Sequence, residues 1–398
     1  MNSRDLRPQA TATAKTRRVR EAARRDEELR ASGIDPYAVE RASLAVGTGS
    51  AAVAARPRRR VPIKAIFLVG LMLILVIAAV GGVVLWGRVS SFNASISTAS
   101  AASWSLWGPL GGEERVNVAL FGYGGAEHKS GNFLADSIQI MSIDPVNDTT
   151  TIIPVPRDFW VEGMPEMPDN GKINEAFAIG YQSGGIEEAG RFTAEVLSRV
   201  TGLEIHHWMA IDFAGFRGMI EAVGGVTVKN PRAFDYTWSP WQYRRGRFDA
   251  GHFNEGTLRL NGERALDYAR TRYTSEPKES SDFARSVRQQ RVLSALRAKL
   301  GDGGLSSFGP GLSMMDALEG RMKTDLSAID LFLLSSHLNP DRRLEMEEGE
   351  VLEATTNTIG QYILVVIGRS GSTDYTPLQD FLVTQLAKPI PSPRPSPS

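Results

Sequence analysis

No cysteine occurs among the 398 residues. That absence removes disulfides, thiolate metal sites and cysteine nucleophiles together. Histidine is scarce as well, and His206 and His207 are adjacent rather than at metal-ligand spacing. With no His-Glu-x-x-His run, a zinc centre is excluded. No Gly-x-Ser-x-Gly elbow presents a serine nucleophile. The stretch Gly122 to Ser130 ends in Lys-Ser, but His128 stands where a P-loop requires glycine, which excludes nucleotide hydrolysis by that route. Net charge is also missing, with 45 basic residues balanced by 45 acidic ones.

The neutral sum hides a polarity. Residues 1–64 hold roughly 15 Lys/Arg against about 7 Asp/Glu, which leaves the rest of the chain near −8. An uncharged apolar run, Ala65 to Gly87, follows this basic segment. It is long enough to cross a hydrocarbon core of roughly 30 Å as a helix, and too long and too far from the N-terminus for a cleaved signal. Trp86 suits its outer interface. Arg56, Arg58, Arg59, Arg60 and Lys64 precede the run, whereas only Arg88 follows closely. The expected topology is therefore one span with a cytoplasmic N-terminus and everything after it extracytoplasmic. Juxtamembrane basic residues act through topology and anionic lipid, so no nucleic-acid partner is expected.

Composition divides the chain further. Residues 1–64 read as a largely disordered basic tail with a weak helical pattern around Val19 to Leu29. Residues 88–112 are Ser/Ala/Gly-rich and read as a stalk, and 389–398 form a Pro/Ser-rich tail. A main domain is expected over 113–302, with 303–388 as its continuation or a small subdomain. About 300 residues outside the membrane are ample for a core without disulfides. Strands are expected at Val116 to Phe121, Ser137 to Asp144 and Thr151 to Val155, each bounded by turn signals. Helical periodicity marks Ile186 to Thr201, Phe213 to Val223, Asp282 to Leu300, Met314 to Met322, Ser327 to His337 and Leu378 to Ala387. Gly224-Gly225 stops a helix and leads into a strand at Val226, and Tyr362 to Ile367 is β-like. The mixture indicates an α/β or α+β layered domain.

Cationic motifs concentrate beside these element ends. In Tyr268-Ala269-Arg270-Thr271-Arg272-Tyr273 the arginines are two apart, so a strand would point both to one face as a phosphate clamp. Asp282, Arg285 and Arg288 recur at three-residue spacing with Gln289 beside them, a polar stripe on a helix. A solvated strand face and exposed local ion pairs are the plainer readings of these two motifs. Pro156-Arg157-Asp158 follows a buried strand, where open α/β sheets place ligands, and Asp158 can orient Arg157. Lys172 follows a Pro/Gly-rich loop and is either a point charge for phosphate or solvated. Asp136 is a turn former or, with Asp282, an oxygen ligand for Mg²⁺, which takes one or two carboxylates plus substrate phosphates. Arginines converging from distant segments suit a dense anion such as pyrophosphate. The loop Phe234 to Phe253, with Trp238, Trp241 and Tyr243, either stacks on sugars or packs on the surface.

These motifs in this order resemble the LytR-CpsA-Psr (LCP) family: Asp136-Ser137-Ile138, Ile153 to Asp158, Lys172-Ile173-Asn174, Asp212-Phe213-Ala214-Gly215-Phe216, Gly224 to Val228, Leu260 to Arg272 and Arg285 to Gln290. The resemblance implies an α-β-α sandwich with a central mixed sheet, an apolar tunnel for a polyprenyl chain, and one N-terminal span. It implies an Mg²⁺-dependent phosphotransferase that moves a glycan polymer from a polyprenyl-pyrophosphate carrier onto peptidoglycan. By motif, Arg157, Arg270, Arg272, Arg285 and Arg288 would hold the pyrophosphate, with Lys172 and Gln289 nearby. Asp136 would serve the metal or activate the acceptor hydroxyl. Many members carry an Asp after the first strand's Gly and an Arg before the Asp-Ser step. Here those places hold Tyr123-Gly124 and Leu134-Ala135, so one carboxylate of the metal shell is absent or replaced by Glu127. A polyprenyl-pyrophosphate hydrolase would need the same arginines, and a noncatalytic envelope regulator or glycan-binding protein would bind without turnover.

Overall fold

The computed structural model describes residues 9–33, 63–98, 115–126, 133–164, 167, 170–300, 308–335, 337 and 340–390. The side chains of residues 9–16, 63–71 and 73–80 are outside that description, as are Glu127, His128 and the tail from 391. The chain divides into two compact units, 1–76 and 77–398.

In the first unit, α1 (Gln9–Ala31) covers the weak helical pattern inside the tail expected to be largely disordered. Its composition of Ala, Arg and Glu favours helix, and Arg17 pairs with Glu21 one turn on. Helix α2 (Ile63–Ile96) contains the 65–87 run. Among the described residues no helix is long and apolar enough to cross a membrane, and most side chains of that run fall outside them. The expected stalk is corrected at its start. Residues up to Ile96 stay helical, and Phe92 and Ile96, one turn apart, are buried in the core.

The second unit is built on a mixed sheet. Its first strands are β1 (Val116–Tyr123), β2 (Ala135–Asp144) and β3 (Thr149–Pro154), joined antiparallel. Two short paired strands follow, β4 (Trp160–Val161) and β5 (Gly171–Lys172). Helix α3 (Ile173–Thr201) returns the chain to β6 (His207–Asp212), which lies parallel to β1. The sequence placed that helix from Ile186 because Gly184-Gly185 interrupts it; Gly185 has φ of 74° and α3 bends there. Helix α4 (Phe213–Ala222) starts directly at the end of β6, and the Asp212 side chain caps it by accepting from the Gly215 amide.

A second layer comes next: β7 (Val226–Asn230), β8 (Phe234–Thr237), a helical turn at Pro240–Tyr243, β9 (Gly251–Phe253) and β10 (Gly256–Leu260). Helix α5 (Gly262–Arg270), β11 (Tyr273–Thr274) and α6 (Asp282–Leu300) follow. The strand expected across Tyr268 to Tyr273 is corrected: Asn261 caps α5 by accepting from the Arg264 amide, and helix runs to Arg270. The chain closes with α7 (Phe308–Leu318), β12 (Met322–Thr324), α8 (Ala328–Ser335), β13 (Arg342–Arg343), the hairpin β14 (Leu352–Thr356) and β15 (Tyr362–Val366), and α9 (Thr376–Ala387). The central sheet has the order β12-β6-β1-β2-β3-β13.

Strand periodicity assigns the faces. On β2, Ile138 and Ile140 join the core under α3 and α9, whereas Met141 and Ile143 join the opposite core with Phe92, Ile96, Leu318 and Leu334. Helices thus cover both faces of a mixed sheet. The fit beneath α3 is close: a Cβ added at Gly190 would lie 2.1 Å from the Trp208 ring. Gly190→Ala should therefore destabilise by about 1–3 kcal/mol despite alanine's better helix propensity, and a denaturant titration would read this as a lowered midpoint.

Candidate active site

The motifs meet at one edge of the sheet. Arg157 and Asp158 occupy the turn after β3, Asp136 opens β2, and Lys172 ends β5. Arg270 is the last residue of α5, Arg272 follows it, and Asp282 and Arg285 form the first turn of α6. Carboxylates brace the cations. Arg157 Nη1 donates to Asp136 at 2.5 Å, Lys172 Nζ donates to Asp158 at 2.5 Å, and Arg272 reaches Asp158 at 3.2 Å and Asp282 at 2.8 Å. Arg285 lies 2.8 Å from the other oxygen of Asp282. Asp158 is nearly fully buried and is the hub of this network, a role larger than orienting Arg157 alone.

Several donors are left over. Nε of Arg157 and Nε of Arg285 are buried without a hydrogen-bond partner. Among the described residues no carboxylate pairs with Arg270; its guanidinium lies 4.0 Å from the centre of the Phe213 ring and 5.5 Å from that of Trp238. Burial lowers the Arg270 pKa, with Asp136 and Asp267 opposing the shift. Burial pushes Arg285 down to about 10, so it remains cationic at neutral pH. A cluster of buried, partly unpaired guanidinium donors is a site for an anion, since such groups are costly to leave unsatisfied.

Asp282 behaves differently from an ordinary buried acid. Burial alone would raise its pKa, but Arg285 and Arg272, with Arg157 beyond them, hold the carboxyl below its usual range. A carboxyl with a depressed folded pKa stabilises the fold fully above its unfolded value, about 3.9, and loses that contribution as pH falls through the folded value. The difference in melting temperature between the native chain and Asp282→Asn should stay constant from neutral pH to about 5 and shrink only below about 4. Thermal melts across that range check this.

One expected site residue stands elsewhere. Arg288 is corrected: it is fully buried, and its guanidinium donates to the carbonyls of Tyr268, Thr271 and Glu279 and to the Glu279 carboxylate at 2.9 Å. It ties the α5–β11 turn to α6 and does not line the cavity described next. Gln289 does line that cavity, but its side-chain oxygen accepts from Ser137 and Gln139, at 2.9 and 3.0 Å. Asp282, expected beside Asp136 as a metal ligand, is held between Arg272 and Arg285, and a dication there would face both guanidinium groups. Asp136 carries a single close guanidinium partner and faces the cavity, a setting better suited than that of Asp282 to an oxygen ligand for a cation.

The cavity has a volume of about 470 Å³. Asp136, Arg157, Arg270, Arg272 and Arg285 contribute its polar lining; most of the remainder is apolar, including Phe92, Leu120, Met209, Leu318, Leu331 and Leu334. Sequence reasoning did not find this apolar lining, because its side chains come from many separate elements and no single periodic stripe contains them. It also missed Asp212, which lines the same cavity from the end of β6. Trp238 lines the cavity while 45% exposed, and Trp241 is 48% exposed with Arg245 stacked 3.5 Å from its ring centre. Trp238 and Trp241 are therefore open to solvent, whereas Tyr243 is packed down, its ring centre 5.2 Å from that of Tyr273.

Known proteins share this arrangement of segments. The teichoic acid transferase TagU of Enterococcus faecalis, named polyisoprenyl-teichoic acid–peptidoglycan teichoic acid transferase, is 27% identical over 267 residues, 67% of this chain and 79% of that protein. TagV of Bacillus subtilis, a transferase with the same full name, is 29% identical over 238 residues, 59% of this chain and 57% of that protein. The crystal structure of B. subtilis TagV superposes with a TM-score of 0.50 at 22% identity, covering 69% of this chain and 98% of that one, a likeness of fold. The LytR_cpsA_psr family profile matches residues 91–371, from the helical turn that carries Phe92 to beyond β15, and the chain belongs to the LytR_cpsA_psr family.

Proposed function

We propose that this protein is a membrane-anchored extracytoplasmic phosphotransferase that moves a glycan polymer from a polyprenyl-pyrophosphate carrier onto peptidoglycan through a phosphodiester. One observation carries the reading: a cluster of braced arginines opens onto a cavity whose remaining lining is mostly apolar. A molecule with a dense anion at one end and a long hydrocarbon at the other matches both halves. The activity for which the TagU and TagV relatives are named, transfer of polyisoprenyl-linked teichoic acid to peptidoglycan, has the same chemistry. The 65–87 run is the anchor in this reading, and it holds the enzyme at the surface where its carrier resides.

An acceptor hydroxyl attacks the phosphorus that bears the glycan. The new oxygen–phosphorus bond forms as the bond to the lipid-side phosphate breaks, and polyprenyl phosphate leaves. Negative charge grows on the leaving oxygens, where Arg157, Arg270, Arg272 and Arg285 are already fixed and need no reorganisation. Lys172 acts through Asp158, holding that carboxylate in place for Arg272. Asp136 is positioned to accept the proton of the acceptor hydroxyl or, with substrate phosphates, to hold Mg²⁺. Bound there, Mg²⁺ would neutralise charge on the pyrophosphate oxygens.

The test is a transfer assay with the full chain in lipid discs, a polyprenyl-pyrophosphate-linked oligosaccharide, peptidoglycan and Mg²⁺. Sugar joined to peptidoglycan through phosphate is the expected product. Free glycan phosphate would make the enzyme a hydrolase, and binding without turnover would make it a glycan-binding protein. Starting the chain at Glu113 would remove Phe92 and Ile96 from the core, so the assay should retain α2.

A further inference from the structure

The apolar lining leads to a second surface. Helix α8 has two faces: Leu331 and Leu334 are buried and line the cavity, whereas Ile329 and Phe332, also three apart, are 62% and 42% exposed. The N-terminus of α8 is fastened to α2, where the Ala328 amide donates to Asn93 Oδ1 at 2.8 Å. Two further ties hold the same region, a β-bridge between Ser97 and Thr324 and an ion pair between Arg88 and Asp316. On α2 itself, Val83, Val84 and Trp86 are strongly exposed, and burial against the domain begins only at Phe92.

At 1.5 Å rise per residue, Phe92 lies about 7.5 Å and Asn93 about 9 Å beyond Gly87 along the helix axis. An interfacial helix sinks its apolar face roughly 5–10 Å into the boundary between headgroups and acyl chains. If residues 65–87 span the bilayer, the start of α8 falls at headgroup depth. We propose that α8 seats the domain on the lipid surface: Ile329 and Phe332 enter the interfacial layer beside Trp86, while Leu331 and Leu334 on the opposite face wall the cavity next to Phe92. The occupant of this surface is lipid, and a polyprenyl chain would pass from bilayer to cavity between α8 and α2 without crossing water. The inference rests on the anchor reading given above.

The natural absence of cysteine makes the test direct. Single variants Ile329→Cys, Phe332→Cys, Val84→Cys and Val383→Cys of the full chain would be labelled with a fluorophore and reconstituted into phosphatidylglycerol vesicles containing spin-labelled lipid. Val84 reports the span, and Val383, 59% exposed on α9 against the other face of the sheet, reports the aqueous side. Quenching at 329 and 332 severalfold above that at 383, with 84 quenched most, is the expected result. Quenching at 84 with 329 and 332 no different from 383 would overturn the seating of α8 and leave the anchor standing. No quenching at 84 would overturn the anchor and this inference with it.

Discussion

Replacing Arg272 with alanine should lower the rate of transfer by about 10² to 10³ while leaving the fold intact. Arg272 lies between two carboxylates, the buried Asp158 and the half-buried Asp282, and lines the cavity beside Arg157 and Arg270. Its loss removes a cation from the place where leaving-group charge develops. It also leaves two acids facing that charge with one fewer neutralising partner. The scaffold survives because each acid keeps another partner, Lys172 for Asp158 and Arg285 for Asp282. Binding and chemistry separate in the measurement. A variant acting only through the transition state loses kcat with KM little changed, whereas a merely structural residue would lower the melting temperature. Transfer within threefold of the native rate would remove Arg272 from the proposed mechanism.

Arg288→Ala should act in the opposite way, costing about 3–5 kcal/mol of stability. The side chain is wholly buried and satisfies three backbone carbonyls and Glu279, itself 2% exposed. Truncation would strand a buried carboxylate and orphan those carbonyls. Arg291, 3.8 Å from the same Glu279 oxygen, compensates only in part. The α5–β11 turn that presents Arg270 and Arg272 would loosen, so activity would fall as a consequence of unfolding. A melting curve taken alongside the assay distinguishes the two arginines. An Arg288→Ala variant with native stability and no activity would restore Arg288 to the substrate site.

The contrast between these residues shows where the sequence was legible. Asp282, Arg285 and Arg288 share one spacing, but at about 100° per residue six positions turn the helix through a net 120°, so a stripe in the sequence is two faces in space. The first face reaches the cavity and the second enters the core. Asn261 followed by Gly262-Glu263 was a readable helix start, and weighing it would have placed Arg270 on a helix end instead of a strand. Short apolar runs bounded by turns located β1, β2 and β3, and apolar periodicity located α6, whereas β6, β12 and β13 of the same sheet were not expected. The Ser/Ala composition after Arg88 concealed Phe92 and Ile96, whose one-turn spacing carries the burial. Convergence of the arginines was predictable from charge chemistry, but the apolar wall of the cavity depends on packing between elements that no local pattern records.

The Asp158 hub has a consequence for the order in which the enzyme is completed. Its side chain gathers Lys172 and Arg272, and its backbone carbonyl accepts from the amide of Leu364 near the far end of the chain. The outermost strand of the sheet, β13 beside β3, also comes late. A ribosome emits the arginines long before the segment that closes their turn. Contacts of such wide sequence separation form slowly, and the N-terminal part must wait for them. A nascent chain halted before β15 would hold every proposed substrate-binding side chain and still lack the hydrogen bond that fixes the Asp158 backbone. The cluster is therefore completed by a C-terminal segment none of whose side chains lines the cavity.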